Sequence, residues 1–460
     1  LKKIPMLCLI LLLQLGSFSA WSLTPFSNNE LDELEKEFIQ LINQSDSIDR
    51  DPVANQYINQ LGKQLALAAH IPTARFFLVK SGEINAFAGP GGYIGINSQL
   101  ILASDNESEL AGVMAHELAH VRLHHLYRMI EHQKQMRMPM LASVLASIAL
   151  GAVNPVLGNG ALMASLTGFA QDNINFTRAS EKEADRIGID MLIRSGQNPA
   201  GMAAFFKKMQ QHSRYYYTDN IPAILRTHPL DDDRIAEAEE RSVNLAKKVY
   251  PDSMNYRLFK ELIRTDVSDD NKQLLEYYQL HCQKPGAGSS CQYGYALTEL
   301  NLNRFAQAQA RLAPLLAADN SNLFFQLAMA RANIGNKEFE KAVNQMRELQ
   351  ADYPENYAVL MTYGQSLLAA GKTAQAATVF LKGSRKFKND LPLCEELARA
   401  ESGANRKPYA YFTQARCHLL QGRNRDALRQ LKLVKRMAKH DPYLLARTEA
   451  LMDEVKRSIE

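Results

Sequence analysis

Residues 116–120 read His-Glu-Leu-Ala-His. Helical positions four apart are rotated by only about 40°, so the rings of His116 and His120 can reach one metal ion. Glu117 is the residue type that takes a proton from a metal-activated water. Such a site needs a third protein ligand and keeps a fourth position for water. Glu181 and Asp185 stand downstream in Glu181-Lys182-Glu183-Ala184-Asp185, four apart and therefore on one helical face. Glu181 is expected to complete the metal set, with Asp185 holding the second ring nitrogen of a ligand histidine. Glu183 points about 160° away from Glu181 and is the less suitable donor. Alone, such an acidic pair is a solvated face; in company with the histidine motif it becomes a ligand pair. His124 and His125 lack ligand-like spacing from His116, which assigns them to packing or to the surface.

The elements that must position these residues are mostly helical. Asn29 to Asn43 and Pro52 to His70 carry apolar residues at helical spacing, as in Val53, Tyr57, Leu61 and Leu65. Arg75 to Lys80, Ile84 to Ala88 and Tyr93 to Asn97 read as short strands, the last two joined by the turn Gly89-Pro90-Gly91-Gly92. The motif helix is expected from Asp105, as N-cap, to Leu123. From about residue 270 the chain becomes a run of helical hairpins. Asn322 and Asn356, each before a first helix, are 34 apart, the period of tetratricopeptide repeats. Small residues fall where paired helices cross: Ala306, Ala330, Ala342, Gly364, Ala376 and Ala427. The last pair is read as Pro408 to Gln421 with Arg425 to Lys439, and Leu391 to Lys407 as an insertion or degenerate unit. The expected fold is mainly α with a small β-sheet, a metallopeptidase domain over residues 23–265 followed by a repeat α-solenoid over 266–460.

Lys2 and Lys3, the apolar run Ile4 to Leu15 and the small residues after it read as a signal peptide over residues 1–22. Export makes disulfides favourable. Cys282, Cys291, Cys394 and Cys417 allow three pairings; Cys282 with Cys291 closes the shortest loop and leaves Cys394 with Cys417. The net charge of +4 comes from 53 basic and 49 acidic side chains without basic tracts, so nothing points to nucleic acid. Met138 to Val153 and Ala161 to Ala170 are apolar but each too short to span a bilayer. Two readings of them stand: a core helical hairpin, or a Met-rich cover over the cleft that touches unfolded substrate or, peripherally, the membrane.

Asn85-Ala86-Phe87-Ala88 with Gly91-Gly92-Tyr93, the motif His116 to His120 and the pair Glu181/Asp185 together resemble the CAAX-prenyl-protease-like zinc peptidases, with the gluzincin pattern of two His and one Glu. The export signal, the segment Thr227-His228-Pro229-Leu230 and the C-terminal repeats point to a periplasmic branch of that family. The resemblance implies one zinc ion held by His116, His120 and Glu181, with Glu117 as general base. It implies that Asn85, Ala86, Phe87 and Ala88 form the edge to which an extended substrate adds. It places His228 and Arg234 at the catalytic centre, stabilising charge on the scissile carbonyl oxygen, and lets His228 close the open zinc position and hold the enzyme latent. The residues alone give His228 a weaker status, since a His-Pro pair is ordinarily a structural turn. Misassembled outer-membrane β-barrel proteins as substrates and the barrel-assembly complex as partner are further implications. Two other functions remain in view. One is a repeat-based chaperone or adaptor with a latent protease; the other is an inner-membrane relative that retains its signal.

Overall fold

The computed structural model describes residues 28–71, 74–132, 171–215, 222–243, 250, 253–283 and 288–459. The signal-peptide reading and the apolar stretch Met138 to Ala170 lie outside them. Helices α1 (Asn28–Gln44) and α2 (Pro52–Ala69) flank the short strand β1 (Ile48–Asp49), which the sequence reading missed. Strands β2 (Arg75–Val79), β3 (Ala86–Ala88) and β4 (Tyr93–Asn97) complete a sheet of order β1-β2-β4-β3. Strand β4 runs parallel to β2, and β3 lies antiparallel on its other side, pairing Phe87 with Gly95. Glycine is required at position 95, because the Phe87 ring occupies the space its side chain would take. The expected turn forms as a 3-10 segment, Pro90–Gly92, with Gly91 and Gly92 at φ 69° and 78°, a region open to glycine.

Helix α3 (Ser98–Ala103) leads into the motif helix α4 (Glu107–Arg122). Its N-cap is Asn106 and not Asp105: the Asn106 side chain accepts from the Glu109 amide at 3.0 Å, while Glu109 Oε2 accepts from the Asp105 amide at 2.9 Å. Two adjacent capping-type residues compete here, and the reciprocal bond from Glu109 decides for the second. Every residue from Glu109 to Ala119 is buried, so α4 is a central helix without a solvent face. It packs against α2, β3, α6 (Gln171–Ser195) and α7 (Ala200–Tyr215). At Gly112 an added Cβ would meet the Met202 backbone at 2.8 Å, so α4 and α7 pack nearly backbone to backbone. Short α5 (His125–His132), α8 (Ala223–Thr227) and α9 (Asp232–Val243) finish the region around the motif.

Helices α10 (Met254–Asp266) and α11 (Asn271–His281) precede five hairpins. These are α12 (Gly288–Asn301) with α13 (Phe305–Ala318), α14 (Leu323–Gly335) with α15 (Phe339–Asp352), and α16 (Tyr357–Ala369) with α17 (Thr373–Lys386). Then come α18 (Leu391–Gly403) with α19 (Lys407–Leu420), and α20 (Asn424–Met437) with α21 (Pro442–Arg457). The 34-residue period is kept where the sequence reading broke it. Asn303, Lys337, Gly371 and Asn405 all take left-handed φ, at 58°, 63°, 72° and 59°, and end the first helix of successive units. Leu391 to Lys407 is therefore a regular half-unit capped by Asp390, pairing with α19, and α19 does not begin the final hairpin. An asparagine does the turning that a glycine would advertise. The small buried residues recur at Ala308, Ala342, Ala376 and Ala410, and at Ala330, Gly364 and Ala398. Ala308, not the exposed Ala306, is the crossing residue of its helix.

One apolar core runs from Val53 in α2 through the motif helix to Val359 in α16. The repeats also return to the N-terminal helix, where Asn43 and Gln44 donate to the Leu420 and Gln421 carbonyls at 3.0 and 2.8 Å. Cys282–Cys291 and Cys394–Cys417 are disulfides, as the spacing suggests. Among the described residues no helix is long and apolar enough to cross a membrane.

Candidate active site

Helix α4 carries His116, Glu117 and His120; α6 brings Glu181 and Asp185 alongside; the loop after α8 brings His228. The donor atoms converge. His116 Nε2 lies 3.0 Å from His120 Nε2, 3.2 Å from Glu181 Oε2 and 3.3 Å from His228 Nδ1. Glu181 Oε1 is 3.5 Å from His120 Nε2 and 3.1 Å from His228 Nδ1. Ligand atoms set tetrahedrally about an ion at 2.0–2.1 Å are about 3.3 Å apart, so the four side chains have metal-site spacing. His116, His120, Glu181 and His228 form this cluster together. Its electrostatics also suit a cation. Burial opposes charging of His116, but Asp185 and Glu181 outweigh it and push the imidazole up to about 10. Burial would raise Glu181, yet His228 and His116 hold it well below the usual carboxylate range. Burial lowers His120 well below its ordinary value, leaving the neutral ring that a metal needs.

Glu117 is 1% exposed, and neither carboxylate oxygen has a hydrogen-bond partner among the described residues. Its Oε1 lies 3.4 Å from His228 Nε2. A buried carboxylate left without a donor is costly unless a water or ion completes it. The cluster beside it supplies the place for both.

Asp185 accepts from His116 Nδ1 at 2.9 Å, as the spacing of α6 suggests. Arg234 is held in the centre by the same acids. Its Nε and Nη2 donate to the two Asp185 oxygens at 2.7 and 2.9 Å, and Nη1 reaches the Pro229 carbonyl at 2.6 Å and Glu181 Oε2 at 3.0 Å. Four of its five N–H donors are engaged in this way, most of them by the two acids of the ligand framework. Arg234 ties the loop carrying His228 to the helix carrying Glu181 and Asp185.

The sequence reading also set His125 aside. The ring is buried, with Nδ1 3.0 Å from His120 Nδ1 and Nε2 3.2 Å from Glu183 Oε2; Arg128 lies against the same oxygen at 3.2 Å. His125 thus orients His120 as Asp185 orients His116. The available signal was the five-residue offset from His120, which a left-handed turn at His124, φ 53°, converts into contact. Outer partners of this kind typically contribute 10- to 100-fold, so His125→Ala is expected to weaken metal binding by roughly that factor. Competition with a chromophoric chelator measures it, and unchanged affinity would show the contact to be incidental.

Strand β3 is the edge of the sheet. Asn85 O accepts from Asn97 N and Gly89 N donates to Tyr93 O, so by alternation Ala86 and Ala88 turn their backbone groups outward. Phe87 instead packs beside Phe77, ring centroids 5.8 Å apart. Just before the strand, Ile84 O is taken by Ile224 N of α8 at 3.0 Å, and Thr227 Oγ1 reaches Asn85 Oδ1 at 3.4 Å. The segment that carries His228 therefore also covers the start of the open edge.

Residues 52–242 match the model of peptidase family M48, a span that contains every residue of this centre. The beta-barrel assembly-enhancing protease of Escherichia coli K12 is 32% identical over 424 residues, covering 91% of this chain and 86% of that protein. The chain belongs to peptidase family M48. The protein of the same name from Yersinia pestis is 30% identical over 411 residues, covering 88% of this chain and 84% of its own length. Metalloprotease LoiP of Escherichia coli K12 is 32% identical over 129 residues, 28% of this chain and 48% of that protein. The similarity to LoiP is thus confined to part of the chain, whereas the first two relatives extend through the repeats. The peptidase is a metalloprotease, with a metal cofactor and a helical repeat region.

Proposed function

We propose that this peptidase is a periplasmic zinc endopeptidase that degrades misassembled outer-membrane β-barrel proteins and assists their assembly, with residues 266–460 recruiting substrate or the assembly machinery. The observation that carries the reading is the buried Glu117 carboxylate, without a hydrogen-bond donor among the described residues, beside the cluster of His116, His120, Glu181 and His228. Nitrogen and carboxylate donors at this spacing suit zinc. Supporting the assembly role is similarity to proteins named for it over 86% of the length of the Escherichia coli relative.

Bound zinc supplies a Lewis acid that lowers the pKa of water toward about 7 and polarises a peptide carbonyl. The residues do the rest. Glu117 accepts the proton of the attacking water and passes it to the leaving amine. Asp185, held by Arg234, fixes the ring of His116, and His125 fixes that of His120. Ala86 and Ala88 offer backbone groups to an extended chain, which presents its scissile bond in the orientation the sheet dictates. Folded barrels have no free strand to offer, so β-strand addition selects unfolded or misassembled chains. His228, with Nδ1 among the donors, closes the position that water needs and must withdraw for turnover. Arg234 is a positioning residue in this closed state.

The seating of His228 also favours a second reading, a repeat-based adaptor with a mostly latent protease. One experiment separates them. Zinc-loaded wild-type and His228→Ala chains are incubated with an outer-membrane barrel protein, either urea-unfolded and diluted or folded in detergent. Cleavage of the unfolded form alone is expected, faster with the variant. Cleavage of neither form by either chain contradicts the proposal.

A further inference from the structure

Helices α18, α19 and α21, with the loop after α17, line an open cavity of 440 Å³ in the last repeats. That is the size range of ligand sites. Its walls are apolar at Leu397, Phe412, Leu420 and Leu451, and two arginines, Arg416 of α19 and Arg447 of α21, also line it. Among the described residues neither arginine makes an ion pair or hydrogen bond. Arg447 instead lies over the rings of Phe412 and Tyr443, 4.7 and 5.5 Å from their centroids. Arg416 keeps solvent contact, but the desolvation of its buried part, and then the like charge of Arg447, pull it below the ordinary arginine value.

The nearby carboxylates relieve this repulsion only in part: the charge of Glu401 opposes it, but no carboxylate forms an ion pair with either guanidinium among the described residues. Asp390 accepts from the Tyr357 hydroxyl and the Leu393 amide, both 2.9 Å or less away. Glu401 accepts from the Thr413 hydroxyl at 2.7 Å, and burial raises its own pKa. Glu454 lines the cavity but pairs with neither guanidinium. Two neighbouring cations against an apolar wall make a complementary place for one carboxylate with large apolar neighbours. The disulfide Cys394–Cys417 ties α18 to α19, with Cys394 in the cavity wall, so these two walls are held before any ligand arrives.

We propose that this cavity is a docking site for an acidic-apolar segment of an extended polypeptide, whose Asp or Glu side chain bridges Arg416 and Arg447 while flanking side chains pack on Leu397, Phe412 and Leu451. The site adds a defined ligand chemistry to the repeats, and it stands whether or not the chain cleaves what it binds.

The test uses the full mature chain carrying Glu117→Gln, so that the peptide survives, and calorimetric titration with the end-blocked peptide acetyl-Phe-Leu-Glu-Leu-Phe-amide. Binding is expected, and the same peptide with Gln for Glu should bind at least about tenfold more weakly. Arg416→Gln and Arg447→Gln should each lose a similar factor, while Arg436→Gln, outside the cavity, should not. Both arginines are exposed, and unchanged urea midpoints certify that the variants are folded. The proposal is overturned by equal affinity for the Glu and Gln peptides, by arginine variants that bind like the parent, or by no binding up to about 1 mM. Inorganic phosphate displacing the peptide at equal concentration would also overturn it, by showing a small-anion site.

Discussion

Glu117→Gln is expected to lower kcat/KM for peptide cleavage by about 10²- to 10⁴-fold, while the chain keeps its zinc. The substitution is nearly isosteric, and the carboxylate it replaces accepts no hydrogen bond from the described protein. Packing and metal ligation should therefore be undisturbed, and the loss measures proton transfer alone. A purely structural metal site has no use for a general base, so the experiment also discriminates between protease and adaptor. Kinetics on a quenched fluorescent peptide, with zinc quantified on the same samples, decides it. Cleavage at the wild-type rate with zinc retained would defeat the peptidase mechanism.

His228→Ala is expected to act in the opposite direction. Two effects compete. The variant loses one of four donors, which weakens metal binding, and it frees the position that water must occupy. Two histidines and one carboxylate are a sufficient set in catalytic zinc sites, so the second effect should win. If the open state of the wild-type chain is a minor one, at about 0.1–10% of molecules, removing the closing side chain raises kcat/KM by at least about tenfold. The Ile224–Ile84 and Thr227–Asn85 contacts should loosen at the same time, since the segment is tethered through His228 and the Arg234–Pro229 bond. A fall in kcat to the level of Glu117→Gln, with zinc still bound, would instead make His228 a catalytic group. Steady-state kinetics at matched zinc content distinguishes the outcomes.

What could be read from the sequence follows from the range over which each feature acts. His116, Glu117 and His120 share one helix, and Glu181 and Asp185 another, so the spacing within each helix was enough to single them out as a group. The strand over Ala86 to Ala88, read from the sequence as Ile84 to Ala88, and its glycine turn were legible for the same local reason. Arg234 was placed at the centre by resemblance, but its role depends on which acceptors surround it. Three of these, Asp185, Glu181 and Pro229, come from two separate segments. His125 was read as packing or surface from its spacing to His116, and its contact with His120 was not legible because it depends on the left-handed turn at His124. In the repeats, Asn405 performs the turn of Gly371, so the period was lost only where the cue was residue identity and not conformation. The Arg416–Arg447 cavity joins helices from two hairpins, and no spacing in the chain announces it.

The central claim is that His116, His120, Glu181 and His228 hold one zinc ion beside Glu117 in the resting protein. Anomalous diffraction at the zinc edge from crystals of zinc-loaded residues 23–460 tests it most directly. The expected result is a single peak about 2.0–2.2 Å from His116 Nε2, His120 Nε2, a Glu181 oxygen and His228 Nδ1. A peak elsewhere, or no peak among these four side chains, would contradict it.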